Sequence, residues 1–270
     1  MAGFLQTRSQ KGLWRLRIDD LDTPRNVKYA DEAILKTLEA FGLDWDGDVY
    51  YQSDHIDIYQ HSLNELEKKH LIYPCVCSRK NLMLHAREQA QPDIYPGICR
   101  NRQVHADVPQ ALRLKTDHSL ISFQDELQGF ISCDLAAQQG DFIVRRKDRI
   151  IAYQFAVVID DALQQVNQVV RGSDLLDETA KQIYLQQLLG LATPGYMHVP
   201  VIVDPQGYKL SKQTQATAVD LTMPDRVIFQ LLGLLRQNPP IELQQAPATE
   251  LLSWAIAHWN PTGLKLIRSL

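Results

Sequence analysis

Val199-Pro-Val-Ile-Val-Asp204, a strand-like apolar run, passes through a Pro-Gln-Gly turn into Gly207-Tyr-Lys-Leu-Ser-Lys-Gln213. Lys209 and Lys212 thus flank Ser211 on a short loop at the end of a strand. Two ammonium groups and a hydroxyl donor suit the negative charge that builds up on a leaving pyrophosphate. On this segment alone a solvated basic turn remains open, because Lys and Ser are common in turns. No Gly-rich nucleotide loop stands near the N-terminus to face the lysines. The expectation is therefore that the sequence opens in the middle of a fold.

Outward from this loop, strands and helices alternate. Leu13-Trp-Arg-Leu-Arg-Ile18 alternates apolar and basic residues and reads as a strand. Ile34, Leu38 and Phe41 recur at helical spacing with Gly42 as the stop, and Ile56, Tyr59, Leu63 and Leu66 do so after Ser53. Between about 70 and 150 the pattern changes to short strands, Ala111-Leu-Arg-Leu-Lys115, Gly129-Phe-Ile-Ser-Cys133 and Asp141-Phe-Ile-Val-Arg145, with polar turns between them. That stretch reads as an inserted antiparallel lobe. A strand at Gln165–Val170, a helix from near Ser173, the strand before the lysine loop and helices around 225–236 and 247–259 follow. The predicted class is α/β, a layered sheet split by an insertion.

The chain has 270 residues, 45% hydrophobic and 22% charged, enough for one large or two modest domains, with no repeat or low-complexity tract. A formal net charge of −4 argues against a surface coated in positive charge, so nucleic-acid contact requires a local patch. Arg145-Arg-Lys-Asp-Arg149 is the best candidate, with a charged strand end in solvent as the alternative. The first residues hold no long apolar segment, and the longest apolar stretch, Ile150–Ile159, is interrupted by Tyr153 and Gln154. A cytoplasmic protein without membrane contact is expected.

Three of the four cysteines crowd between positions 75 and 99, an odd disulfide framework for such a protein. Cys75, Cys77 and Cys99 supply three thiols, and Tyr95 stands four residues before the last. Three thiolates and one further donor would complete the tetrahedral shell of a structural zinc ion. Buried, inert thiols are the alternative. Cys133 reads as a core residue, and the eight histidines show no paired spacing, so none is assigned to chemistry. The strand ends carry Arg17-Ile-Asp-Asp-Leu-Asp22 and Val170-Arg-Gly-Ser-Asp-Leu175. A carboxylate and an arginine at that rim could hold the ammonium and carboxylate of an amino acid, and ordinary surface ion pairs are the alternative.

In order, Arg17–Arg25, Trp45–Asp48, Tyr50–Ser53, Cys75-Val-Cys77 with Tyr95 and Cys99, Tyr153–Asp161, Val170–Leu175 and Lys209–Gln213 resemble the glutamyl-Q tRNA(Asp) synthetases. These are short paralogues of glutamyl-tRNA synthetase within the class I aminoacyl-tRNA synthetases. The resemblance covers essentially the whole chain. It implies a Rossmann-like parallel sheet split by a zinc-containing α+β insertion, with a short helical C-terminal part. Residues 1–68 would be the first, N-terminally incomplete part of the catalytic domain, and 69–160 the acceptor-domain-like lobe with zinc. Residues 161–205 would be its second part, and 206–270 a KMSKS-type loop and helical part. No anticodon-binding domain is expected, since the roughly 57 residues after Gln213 are few for another core of ordinary size.

The activity implied is ATP-dependent activation of L-glutamate, with Mg²⁺ accompanying the ATP. Glutamyl-adenylate is then transferred to the queuosine cyclopentenediol in the anticodon of tRNA(Asp), by a monomer. Asp19 would bind the glutamate ammonium, Tyr153 and Arg171 its carboxyl groups, and Cys75, Cys77, Tyr95 and Cys99 a structural Zn²⁺. Lys212, with Ser211 and Lys209 beside it, would neutralise phosphate charge. Two departures stand out. The family has Glu where this chain has Asp19, one methylene shorter. The family also begins with a strand and a HIGH-type helix start, so roughly 20 to 25 residues are expected upstream of an internal Met1. Other readings are an inactive zinc- and tRNA-binding remnant, a fragment of a glutamyl-tRNA synthetase, or a non-enzymatic α/β scaffold.

Overall fold

The computed structural model describes residues 1–89, 94–105, 107–204, 206–209 and 219–270. Helix α1 (Ala2–Ser9) leads into strand β1 (Arg17–Ile18), which pairs parallel with β2 (Tyr50–Tyr51). The alternation from Leu13 therefore yields only two strand residues. The Trp14 amide instead donates to the Asp46 carboxylate at 2.7 Å, and Leu13 stands 68% exposed with no apolar layer to cover it.

The two periodic helices form as expected, α2 (Ala30–Ala40) and α3 (Ile56–Lys68). In α3 the spacing of Tyr59, Leu63 and Leu66 buries all three on one face. Ile56, one turn earlier, is left exposed. A 3-10 turn over Gln52–His55 precedes the helix and turns Gln52 inward.

Strands β3 (Ile72–Cys75), β4 (Ala111–Leu114) and β7 (Phe142–Arg145) make an antiparallel sheet in the order β3-β4-β7, and α4 (Arg79–Gln89) follows β3. The predicted strand at 129–133 forms as β6 (Gly129–Asp134), the second arm of a hairpin with β5 (Leu120–Asp125). This hairpin belongs to a different sheet, of order β6-β5-β9-β8, together with β8 (Gln168–Gly172) and β9 (Gly195–Val199). A short helix α5 (Leu135–Gln138), capped by the Asp134 carboxylate on the Ala137 amide, leads from β6 toward β7.

Strands β8 and β9 run parallel and are joined by α7 (Thr179–Leu189), which ends on Gly190 in the left-handed conformation. The strand expected at Val199–Asp204 lies earlier than the sequence suggested. Pro200 has no amide hydrogen to extend the ladder, and beyond it Val201 and Val203 form isolated bridges, to Ser269 and Lys209. Helix α6 (Tyr153–Leu163) was not legible as a helix: Phe155 to Asp160 are all buried, so no polar face marks its period.

The larger core gathers α3, α6, α7 and the inner faces of both sheets around Leu63, Leu114, Leu135, Phe155 and Leu185. A second core joins α1 to the C-terminal helices α8 (Pro224–Leu234) and α9 (Ala248–His258) through Leu5, Phe41, Ile228, Leu232 and Leu251. Among the described residues no helix is long and apolar enough to cross a membrane. Parallel strands with a crossover helix beside an antiparallel lobe give the α/β class expected.

Candidate active site and thiol cluster

A cavity of about 680 Å³ opens where the ends of β1 and β8 meet the first turns of α6, and Arg17, Asp19, Tyr153, Asp161 and Arg171 line it. The three residues read as a candidate glutamate site therefore share one cavity. Tyr153 begins α6, and Val157 and Asp161 follow at intervals of four, so all three face the same space. Burial raises the Tyr153 hydroxyl above its ordinary value, with Arg171 opposing and Asp19 adding to the rise.

Arg17 organises the acidic wall. Its Nε donates to Asp19 Oδ1 at 2.8 Å and its Nη1 to Asp161 Oδ1 at 2.6 Å. Burial raises the Asp161 carboxyl against the opposing pull of Arg17. Behind it the fully buried Asp160 accepts from Tyr59 Oη at 2.6 Å, Gln52 Nε2 at 2.7 Å and Tyr50 Oη at 2.9 Å. Burial first and Asp160 second raise both tyrosine hydroxyls, so they remain donors.

Arg171 is held on several sides by protein. Its Nε donates to His198 Nε2 at 3.0 Å, Nη1 to Gln182 Oε1 at 2.8 Å, and Nη2 to Thr179 Oγ1 at 2.8 Å and to the Leu175 carbonyl at 3.4 Å. A fork with five N–H groups keeps one Nη1 hydrogen for a ligand in this arrangement. The two-point grip an arginine can give a carboxylate thus becomes a single contact here. His198 and its partner Asp125 were not found by sequence reasoning, since 73 positions separate them and no motif links them. Asp161 did leave a trace, as the last residue of the Tyr153–Asp161 stretch that carries part of the family resemblance.

On the lysine loop, Lys209 Nζ donates to Asp174 Oδ2 at 2.6 Å, tying the loop to the turn after β8. Gly172 leaves room for that carboxylate, which a Cβ at this position would strike. Ser211 and Lys212 lie outside the described residues. In the Arg145–Arg149 run, Arg146 pairs with Asp22 and Asp148, and Lys147 donates to the Val76 carbonyl.

The second centre is the thiol cluster. The sulfurs of Cys75, Cys77 and Cys99 lie within 4.8 Å of one another, with Cys77 and Cys99 at 3.5 Å. Tyr95 Oη is 3.4 Å from Cys75 Sγ and 3.8 Å from Cys77 Sγ, and accepts the Cys99 amide at 2.9 Å. Tetrahedral metal–sulfur bonds of about 2.3 Å place ligands about 3.8 Å apart, so the three sulfurs, with Tyr95 Oη beside two of them, are spaced for one ion. Arg113 Nε donates to Cys75 Sγ at 3.3 Å, and its guanidinium lies 3.7 Å from the centre of the Tyr95 ring.

Burial opposes ionisation of Cys75, but Tyr95 and Arg113 together hold its thiol below the ordinary value. Burial pushes Cys77 up to about 11, and the sulfurs of Cys99 and Cys75 add to the rise. Three thiols gathered this closely are a ready metal ligand set, because a bound cation offsets the charge of thiolates. Cys133 lies apart from this cluster, buried in the main core as expected.

Residues 1–229 match the family described as tRNA synthetases class I (E and Q), catalytic domain. The fold is that of a class I synthetase catalytic domain. The glutamate-tRNA synthetase crystal structure from Elizabethkingia anophelis superposes with a TM-score of 0.78 at 22% identity, covering 99% of this chain and 63% of that one. That likeness concerns the fold, and this chain spans less than two thirds of the solved protein. The glutamyl-Q tRNA(Asp) synthetase of Pseudomonas aeruginosa is 43% identical over 264 residues, 98% of this chain and 88% of the relative. The protein of that name from Thiobacillus denitrificans is 45% identical over 260 residues, 96% of this chain and 86% of the relative. The chain belongs to the glutamyl-Q tRNA(Asp) synthetase family.

Proposed function

We propose that the chain activates L-glutamate with ATP and transfers the glutamyl group to the queuosine cyclopentenediol of tRNA(Asp). The observation that carries this reading is the gathering of Asp19, Tyr153 and Arg171 on one cavity at the strand ends. Asp19 takes the ammonium group, while Tyr153 and Arg171 take the carboxyl groups. The α-carboxylate is already ionised and needs alignment more than a base. Its oxygen attacks the α-phosphorus of Mg²⁺-bound ATP as the bond to pyrophosphate breaks. Lys212, Ser211 and Lys209 offset the charge gathering on the leaving group. A hydroxyl of the cyclopentenediol then attacks the adenylate carbonyl, and AMP leaves as the ester forms.

Asp19 in place of the family's Glu shortens the ammonium ligand by one methylene, and Arg17 already draws its carboxylate toward the acidic wall. The residues 1–68 and 161–205 form the catalytic domain in this reading, 69–160 the acceptor-type lobe, whose β5–β6 hairpin joins the sheet of β8 and β9, and 206–270 the lysine loop and helical part. Zinc fits the thiol cluster, with Cys75, Cys77, Cys99 and Tyr95 as ligands. When bound it cross-links β3 to the 95–100 segment and supplies structure rather than chemistry.

The test is glutamate-dependent ATP–pyrophosphate exchange, followed by transfer of labelled glutamate to tRNA(Asp) with and without queuosine. Exchange with glutamate and labelling only of the queuosine-bearing tRNA support the proposal. Labelling at the tRNA 3′ end, or no glutamate dependence, refutes it. Arg171→Ala is expected to raise the half-saturating glutamate concentration by about 10- to 100-fold, the cost of losing a charge-assisted hydrogen bond.

A further inference from the structure

Arg171 and His198 are register partners on the parallel strands β8 and β9, so their side chains stand side by side on one face. His198 and Asp125 are both fully buried, and His198 Nδ1 lies 2.6 Å from Asp125 Oδ2. Asp125 closes strand β5, whose last residue pairs with Tyr196 of β9. Its other contacts fix the carboxylate. Oδ1 accepts the Leu127 amide at 3.0 Å and the Gln128 amide at 2.8 Å, and Oδ2 accepts the His198 amide at 3.2 Å.

The tautomer follows from donor counting. Arg171 can only donate, so the His198 Nε2 that receives its Nε–H carries no hydrogen. Nδ1 must then hold the proton and give it to Asp125, which as a carboxylate can only accept. Thr179 Oγ1, which accepts from Arg171 Nη2, stands 3.2 Å from the same Nε2. A buried Asp–His pair with one permitted tautomer presents a fixed acceptor to the guanidinium. Tyr196 closes this side, its ring stacked with His198 and 5.4 Å from the Arg171 guanidinium carbon.

We infer that Asp125 and His198 are positioning residues: the dyad holds Arg171 in the orientation that leaves one Nη1–H for the glutamate carboxyl. This rests on the reading of Arg171 as a glutamate ligand. A purely architectural role for the pair, anchoring β5 against β9, would not depend on which imidazole nitrogen bears the proton. The positioning role does. Asp125→Asn keeps the size and, at Oδ1, the acceptor for the Leu127 and Gln128 amides, yet turns an NH₂ toward Nδ1. The imidazole is then driven to carry its proton on Nε2, where it meets the Arg171 Nε–H donor to donor.

The experiment combines ¹⁵N NMR of the imidazole and guanidinium groups with equilibrium binding of L-glutamate and, separately, of ATP. The wild-type protein is expected to show His198 protonated at Nδ1, and Asp125→Asn the reverse. Glutamate binding should weaken about 10- to 100-fold in Asp125→Asn, as for a buried donor left without its acceptor, while ATP binding stays within about twofold. His198→Gln offers its Oε1 to Arg171 whatever stands at 125. The double variant Asp125→Asn with His198→Gln should therefore bind glutamate better than Asp125→Asn alone, a rescue that additive structural damage does not give.

A wild-type His198 protonated at Nε2, or additive losses in the double variant, overturns the inference. Should Asp125→Asn fail to fold, the wild-type tautomer and the His198→Gln binding loss, expected to be under about fivefold, decide it. An Arg171→Ala protein that binds glutamate normally removes the glutamate reading of Arg171 and the inference with it. Loss of binding in Arg171→Ala beside an unaffected Asp125→Asn removes the positioning role alone.

Discussion

At the scale of single residues, carboxylates do most of the organising, and each does so through partners remote in sequence. Asp46 accepts Arg8 Nη1 at 2.6 Å and the Trp14 amide at 2.7 Å, fastening α1 to the loop before β2. The Arg8 bond, followed by the Trp14 amide, holds its carboxyl below the ordinary value. A folded-state value below the unfolded one gives stability that is present above the unfolded value of about 3.9 and lost as the pH falls through the folded value. Asp46→Asn is therefore expected to be less stable than the wild type at pH 7, and the gap should close on acidification past the folded value. Urea melts at successive pH values measure this, and a gap independent of pH contradicts it. The motif residues Asp19, Tyr153 and Arg171 could be picked from the sequence because several motifs recur in a fixed order. His198 and Asp125 behind Arg171, and the buried Asp160, could not, because hydrogen bonds across 73 or more positions leave no spacing to read.

At the scale of elements, legibility followed amphipathicity. Helix α3 has one buried face and could be read, whereas α6 is buried along Phe155–Asp160 and could not. Helix ends were also readable. Gly42 follows α2 with φ +64°, a conformation that costs a side chain little only when there is no Cβ. A Cβ there would lie 3.2 Å from Leu252 Cδ1 of α9. Gly42→Ala is thus expected to cost about 1–2 kcal/mol, strain and crowding combined, visible as a lower midpoint in denaturant with an unchanged slope. A neutral outcome would show that the turn relaxes away from α9. The predicted strands at 111–115, 129–133 and 141–145 all appear, but alternation alone gave no hint that β5–β6 pairs with β9 and not with β4. Strand pairing depends on which edges meet in the folded chain, and a period-two pattern is silent on that.

At the scale of the whole molecule, the buried apolar residues fall into two larger cores, a small group around Met197 and the thiol cluster. The cluster packs Tyr73, Cys75, Tyr95 and Cys99 into a small group separate from the main core. Removing metal with a chelator is expected to lower amide-exchange protection first around 73–77 and 95–100, leaving β8 and β9 protected by the larger core; uniform loss across the chain would refute this. Metal analysis of Cys99→Ala should show the same site emptied. The sequence by itself determined the family, the α/β class and the thiol set, because these depend on residue type, order and local period; that Asp19, Tyr153 and Arg171 share one cavity came from the fold. The tertiary structure alone decided which sheet the hairpin joins, that Arg171 arrives with most of its donors already engaged, and that His198 and Asp125 stand behind it. Those are facts of long-range packing, where the free energy of a buried polar group is set by whichever partner the fold brings within hydrogen-bond reach.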